Sequence, residues 1–374
     1  MKGKGWFGAW PNCSDLLAHH YVPCFMEQLG LVYDPGAGDY RNLPGVETRV
    51  TNFGSSRGFQ GNPQHPDWCL EALRKELERI GYRDGDTLFG APYDLRHVPA
   101  VPGEKSEVFT RYFQQLTRLI EDASRSNHGR KVILFGNSYG GMVALDFVRS
   151  TTMAWRDAHI KHLLLVAPLP SGGFLQPVRY MASGSDFLCM GPYDDAAVVP
   201  GTTPLALALR PMWRSLESSV VNFPSPAVFR RRAPVVVTRD RNYSAAEMEE
   251  FLYAIGAAAA AAEPFRRRAV PRMGYFQAPM VPTTCINGVG SDTPERLVYW
   301  DGDFDKEPEI VYGDGDGDIN LVSMLAFDEQ MRQHPGQSKL FKTIKLRGAK
   351  HGMILTEDWA LKRVMHEILQ ANRI

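Results

Sequence analysis

The feature that most constrains this chain is the pentapeptide Gly136-Asn137-Ser138-Tyr139-Gly140, set between an apolar run and a helix-forming run. Residues 131–135 (KVILF) read as a strand buried on both faces of a parallel sheet. Residues 142–148 read as a helix. A G-x-S-x-G sequence in a strand–turn–helix context is a nucleophile elbow, a turn so tight that the serine backbone is strained and its hydroxyl exposed. Small flanking residues, here including Gly141, let the neighbouring segments approach.

The rest of the chain supplies the sheet and helices such an elbow needs. Residues 66–81 carry Trp68, Leu70, Leu73, Leu77 and Ile80 largely on one face and stop at a glycine, so a helix is expected. Residues 104–125 form a second amphipathic helix. Residues 161–166 and 343–346 read as strands, and 358–371 as a closing helix. This alternation points to an α/β sheet covered by helices on both faces. Between about 168 and 279 the rhythm breaks. That stretch holds two arginine triplets (230–232 and 266–268) and six consecutive alanines (257–262). It reads as an insertion that covers something, with the alanines helical and the arginines on a solvated face.

A serine needs a base, and the base needs a carboxylate to orient it. In this architecture the chain order is Ser, acid, His. Three histidines lie well after Ser138 and near the end. His334 precedes a Pro-Gly turn and His366 sits within the last helix, whereas His351 falls in the loop between the last strand and that helix. His351 is the expected base. The acid should follow the strand at 309–312, and there Asp314, Asp316 and Asp318 alternate with glycines. A calcium loop is a poor reading, because Ile319 and Leu325 stand where it requires Gly and Glu. The residues alone do not choose among the three aspartates.

Composition removes other classes. Forty-two basic residues balance 42 acidic ones, so no nucleic-acid-binding footprint is present. The longest apolar stretch, 251–262, falls well short of the ~20 residues of a membrane span. The five cysteines form no CxxC pair and there is no HExxH, so no metal site is expected. There is no GxGxxG or Walker A sequence and no cofactor is expected. Free buried thiols are preferred over a Cys13–Cys24 bridge. Asn12 and Asn242 open glycosylation sequons that matter only on the secretory route.

With these residues in view, the chain resembles the family of lecithin:cholesterol acyltransferase, lysosomal phospholipase A2 and phospholipid:diacylglycerol acyltransferase. The resemblance rests on segments in the same order along nearly the whole chain. They include 44–50 (PGVETRV), 91–96 (APYDLR), the elbow, Ala167-Pro168 with Gly172-Gly173, Asn242-Tyr243-Ser244, 288–290 (GVG), Gly315-Asp316-Gly317 and His351. It implies an α/β-hydrolase fold with an inserted cap and lid over an acyl-binding cleft. It places the acid on Asp316, beside Ser138 and His351, and one oxyanion donor on the backbone N–H of Tyr139. The implied organisation is a membrane-facing segment (1–60), a first core part (61–170), the cap (171–279) and a second core part (280–374). The implied partners are a phospholipid donor and a lipid alcohol acceptor at a membrane or lipoprotein surface. The implied location is the secretory or lysosomal lumen, or outside the cell. The acyl acceptor, whether sterol, diacylglycerol, another alcohol or water, stays open.

The departures carry expectations too. Asn137 and Tyr139 replace the family's usual His and Leu or Met, and Leu95 replaces Trp. Asp318 stands where a threonine is usual, and is expected to perturb the acid's pKa. No segment matches the family's opening strand ending in P-G-x-x-G. The fold is therefore expected to lack the first core strand in this sequence, with Met1 not the natural start. Two rivals are a neutral lipase or short-chain esterase on the same fold, and a truncated non-catalytic homologue that binds lipid or a partner.

Overall fold

A computed structural model describes residues 21–59, 70–169, 172–185, 204–230 and 232–373. At its centre four parallel strands run in the order β10-β7-β4-β3. They are β3 (Val132–Asn137), β4 (Ile160–Val166), β7 (Thr283–Val289) and β10 (Phe341–Arg347). β4 and β7 lie inside the sheet and are almost wholly buried, as an apolar parallel strand must be. β3 differs from expectation. Among the described residues it pairs only with β4, and Val132 to Phe135 are partly exposed rather than buried on both faces.

Helices cover both faces. Before β3 come α1 (Val22–Leu29), α2 (Glu71–Arg79) and α3 (Glu107–Ser126). Helix α2 starts five residues later than the sequence pattern suggests, and 66–69 lie outside the described residues. Helix α3 begins where Ser106 caps it, its hydroxyl accepting the N–H of Phe109. It buries Phe109, Tyr112, Leu116 and Ile120 at helical spacing. After β3, α4 (Tyr139–Ser150) follows directly, then α5 (Met153–His159). Phe109, Leu116, Phe147, Val148 and Leu163 meet in one apolar cluster, so α3 and α4 are fixed against the sheet together.

The 168–279 stretch is not irregular where it is described. It folds into α6 (Gln176–Ser183), α7 (Pro204–Ser215), α8 (Glu217–Val221), β5 (Pro234–Thr238), β6 (Asn242–Ser244), α9 (Met248–Ala254) and α10 (Ala258–Pro264). It builds a core of its own around Met181, Phe223, Phe251 and Phe265. Two later strands, β8 (Ser291–Tyr299) and β9 (Glu309–Gly315), complete its sheet in the order β6-β5-β8-β9. That sheet therefore draws strands from both sides of residue 279, and β9 leads from it to Asp316. The chain closes with α12 (Leu321–Gln333), β10 and the final helix Asp358–Arg373. Between α10 and α12 the short helix Val270–Met273, α11, follows a π-helical turn.

That turn corrects the reading of the second arginine triplet. Arg266 and Arg267 are exposed, but Arg268 is buried. Its guanidinium donates to Glu217 through Nε at 2.7 Å, and to Glu104 at 2.9 Å. Four residues on, Arg272 donates to Asp146 of α4 at 2.7 Å and to the Pro99 carbonyl at 2.8 Å. The Glu217 carboxylate also accepts the N–H of Val98 at 2.9 Å. Burial pushes the Glu217 carboxyl up to about 7, against the opposing pull of Arg268. Arg268 and Arg272 thus tie this later segment to Glu104 and to Asp146 of α4 through buried ion pairs. Removing one partner of such a pair costs about 3–5 kcal/mol, because the other is left buried and charged. In the first triplet, Arg230 and Arg232 are exposed, and Arg231 lies outside the described residues. Cys285 is free and buried, and burial pushes its thiol up; Cys24 is free and partly exposed. Cys13, Cys69, Cys189 and Asn12 lie outside the described residues.

Candidate active site

The site is built on the turn between β3 and α4. Ser138 has φ 52° and ψ −123°, a conformation that L-residues avoid and that a tight turn imposes. Its N–H donates to the Val166 carbonyl at 2.9 Å, and its own carbonyl accepts from Leu169 at 3.1 Å. The strain is held by the end of β4. Glycines are required around it: a Cβ on Gly136 would come within 2.4 Å of the Gly140 carbonyl oxygen. A Cβ on Gly141 would come within 2.6 Å of Pro168. Asn137, where His is usual, donates from its amide to the same Val166 carbonyl at 3.1 Å.

The Ser138 hydroxyl Oγ lies 2.8 Å from Nε2 of His351, although 213 residues separate them. The other ring nitrogen, Nδ1, lies 2.8 Å from Oδ2 of Asp316. His351 occupies the loop after β10, where its N–H donates to the Asp316 carbonyl at 2.7 Å. The two loops are thereby locked together by backbone as well as side chain. His334 ends α12 and His366 is exposed on the last helix. Neither meets the serine.

The structure separates the three aspartates that the sequence left level. Asp316 is fully buried. Its Oδ1 accepts the N–H groups of Asp318 and Ile319 at 3.1 and 2.7 Å, leaving Oδ2 for the imidazole. Asp314 is exposed and accepts the N–H of Gly290 at 2.7 Å. Asp318 accepts from the Gln176 side chain at 3.3 Å. The expected influence of this second carboxylate falls on the base. Burial alone would lower the pKa of His351, but the charge and hydrogen bond of Asp316, joined by the charge of Asp318, push it up to about 9. Chemically, a hydroxyl, an imidazole and a carboxylate linked in that order can move a proton off the hydroxyl and hold the resulting imidazolium.

The model of the lecithin:cholesterol acyltransferase family matches residues 6–199 of this sequence. A lecithin-cholesterol acyltransferase-like 1 protein of Oryza sativa subsp. japonica is 40% identical over 371 residues, covering 99% of this chain and 79% of that one. The chain belongs to the lecithin:cholesterol acyltransferase family. More distant relatives include the lysosomal phospholipase A and acyltransferase of Homo sapiens, 28% identical over 333 residues and covering 87% and 73% of the two chains. The phosphatidylcholine-sterol acyltransferase of Gallus gallus is 28% identical over 365 residues, covering 94% and 79%. The protein is thus an enzyme of the acyltransferase and phospholipase class, on the α/β-hydrolase fold that its parallel sheet displays.

For this acyltransferase-family chain, the structure adds residues that the motifs did not single out. Tyr93 stacks on Tyr139, with ring centroids 5.7 Å apart and planes 24° from parallel. Arg96 pairs with Asp94 at 2.6 Å and reaches the Leu29 carbonyl, Asn42 and Thr48. It ties the loop 91–98 to the N-terminal hairpin of β1 (Leu31–Asp34) and β2 (Asp39–Asn42). The only sequence signal for this was the segment 91–96 itself, which the family resemblance marked without assigning it work.

Proposed function

We propose that this protein transfers a fatty acyl group from a glycerophospholipid, through an acyl-enzyme on Ser138, to a lipid hydroxyl or to water. The observation that carries the reading is the hydrogen-bonded chain from Ser138 through His351 to Asp316, with both links at 2.8 Å. In the first step His351 Nε2 takes the hydroxyl proton as Oγ attacks the ester carbonyl. Asp316 holds the Nδ1–H tautomer and stabilises the imidazolium. The N–H of Tyr139 donates to the oxyanion of the tetrahedral intermediate. The imidazolium then protonates the departing lysophospholipid oxygen. An acceptor hydroxyl, deprotonated by the same imidazole, attacks the acyl-enzyme and regenerates Ser138. Side chains and backbone supply every proton and charge in this sequence, so no cofactor is called for. The 171–279 stretch serves as cap over the acyl cleft, and residues 1–60 face a membrane or lipoprotein surface that the enzyme meets peripherally.

Product analysis with labelled phosphatidylcholine and a mixture of sterol, diacylglycerol and water as acceptors tests this. Release or transfer of labelled fatty acid is expected. Activity confined to soluble short esters would replace the reading with a short-chain esterase, and no turnover of any ester would leave a non-catalytic lipid-binding homologue.

The pH dependence follows from the site. The competent base is the neutral imidazole, so kcat/KM should rise with pH through the free-enzyme value of His351, about 9. Asp318→Asn removes a negative charge that favours the imidazolium. The pKa of His351 must fall, and the rising limb must move to lower pH while the plateau stays within about twofold of wild type. A limb that stays in place, or moves to higher pH, would show that Asp318 does not act on the base.

A further inference from the structure

We propose that the Tyr139 side chain is a positioning residue, its hydroxyl fixing the direction in which its own backbone N–H points at the oxyanion. This rests on the reading of Ser138 as nucleophile, and extends it from the amide to the side chain. Tyr139 is the first residue of α4, so its N–H has no carbonyl partner within that helix. Such an amide is free to serve a ligand, and equally free to tilt.

Two contacts restrain it in this chain. The Tyr139 hydroxyl donates to the backbone carbonyl of His97. The ring stacks on Tyr93, whose own hydroxyl lies close against Gly140 of the elbow. Burial, reinforced by the nearby charge of Glu217, holds the hydroxyl well above its ordinary pKa, so it remains a neutral donor.

The carbonyl it meets is a fixed reference point. On one side of His97, Arg96 donates to Leu29, Asn42 and Thr48, and the Arg96 carbonyl accepts the N–H of Ser218 at 3.1 Å. On the other side, the Val98 N–H is held by Glu217, itself bonded to Arg268. Upstream, Tyr112 donates to the Ala91 carbonyl at 2.7 Å. The loop 91–98 is thus pinned to the N-terminal hairpin, the cap and α3. Through one hydroxyl, the residue after the nucleophile is referred to all three. A leucine or methionine at this place could fill the space but could not make that bond.

The test compares Tyr139→Phe with wild type by steady-state kinetics, by the rate of fluorophosphonate labelling and by thermal unfolding. Loss of a whole oxyanion donor costs ~10²–10³ in turnover, and a donor kept but misdirected should cost about tenfold. The expected result is kcat down about tenfold and KM within about twofold, since the oxyanion exists only beyond the ground state. The labelling rate should fall by the same factor as kcat, because the phosphonyl oxygen occupies the oxyanion position. Incorporation of 4-aminophenylalanine at 139 keeps an N–H donor and should restore kcat to within about threefold of wild type. If Tyr139→Phe does not fold, this variant alone decides: near-wild-type rates support the role and a tenfold loss overturns it. Rates for Tyr139→Phe within twofold of wild type, or a raised KM with unchanged kcat, would also overturn it. Ser138→Ala in the same assay separates the two claims. Labelling that survives there defeats the nucleophile reading, whereas labelling lost there but unchanged in Tyr139→Phe defeats only the positioning role.

Discussion

Ser138→Ala is expected to abolish labelling by a fluorophosphonate probe and to cut acyl transfer by about 10⁶-fold, the scale seen when the nucleophile of such a unit is removed. In the labelling reaction Oγ forms a bond to phosphorus and fluoride departs, so a residue without Oγ cannot give the adduct. The same substitution should leave folding intact. Oγ contributes its bond to His351, while the backbone bonds to Val166, Leu169 and Gly141 that hold the turn do not involve the side chain. Alanine at φ 52° is no more strained than serine, since both carry one Cβ. A thermal midpoint within ~2 °C of wild type, with labelling absent, is the expected pair of results. Labelling that persists in a folded Ser138→Ala protein would move the nucleophile elsewhere and end the proposal.

What the amino-acid sequence makes legible follows from which interactions are local. The elbow was legible because the strand, the tight turn and the helix adjoin in sequence, and Gly136 and Gly141 mark where backbone must approach backbone. His351 was legible by position, since the loop after the last strand is short and holds one histidine. Which aspartate meets the imidazole was not legible from its neighbours. Asp314, Asp316 and Asp318 occupy chemically equal places in a glycine-alternating run. What separates them is the fold of the loop, which turns Asp314 to Gly290 and leaves Asp316 facing the imidazole.

The strand at 132–137 shows a different limit. Its apolar run gave the element correctly, but a run of that kind cannot say whether neighbours lie on both sides. The seam of Glu217, Arg268, Arg272 and Asp146 was illegible for a third reason. Each is a single charge in a locally unremarkable segment, and its partner lies 51 residues away in one pair and 126 in another. Arginine repeats are usually solvated, and only the π-helical turn at 265–269 carries Arg268 inward while leaving Arg266 and Arg267 outside.

Asp316→Asn should lower kcat by about 10⁴-fold with KM little changed, because it removes the charge that the imidazolium needs. The change is nearly isosteric, and the N–H groups of Asp318 and Ile319 keep an oxygen to bond where Oδ1 now sits. The amide must then place its NH₂ toward Nδ1, in the Oδ2 position. Presented with a donor, Nδ1 becomes the acceptor and the proton moves to Nε2, the tautomer that cannot accept from Ser138. If the amide turned the other way, its NH₂ would oppose the two backbone N–H donors inside a fully buried loop, at a cost of roughly 1–3 kcal/mol. The first orientation leaves the base in the wrong tautomer; the second keeps the competent tautomer but still lacks the charge that stabilises the imidazolium, and it destabilises the loop. The neighbouring aspartates make the comparison sharp. Asp314→Asn touches only the contact to Gly290, so turnover within about twofold of wild type is expected there, and Asp318→Asn should shift the pH profile without losing the plateau. Steady-state kinetics on the three variants, measured across pH, distinguish these roles. Retention of a tenth or more of kcat in Asp316→Asn, alongside collapse in Asp314→Asn or Asp318→Asn, would transfer the acid to another residue.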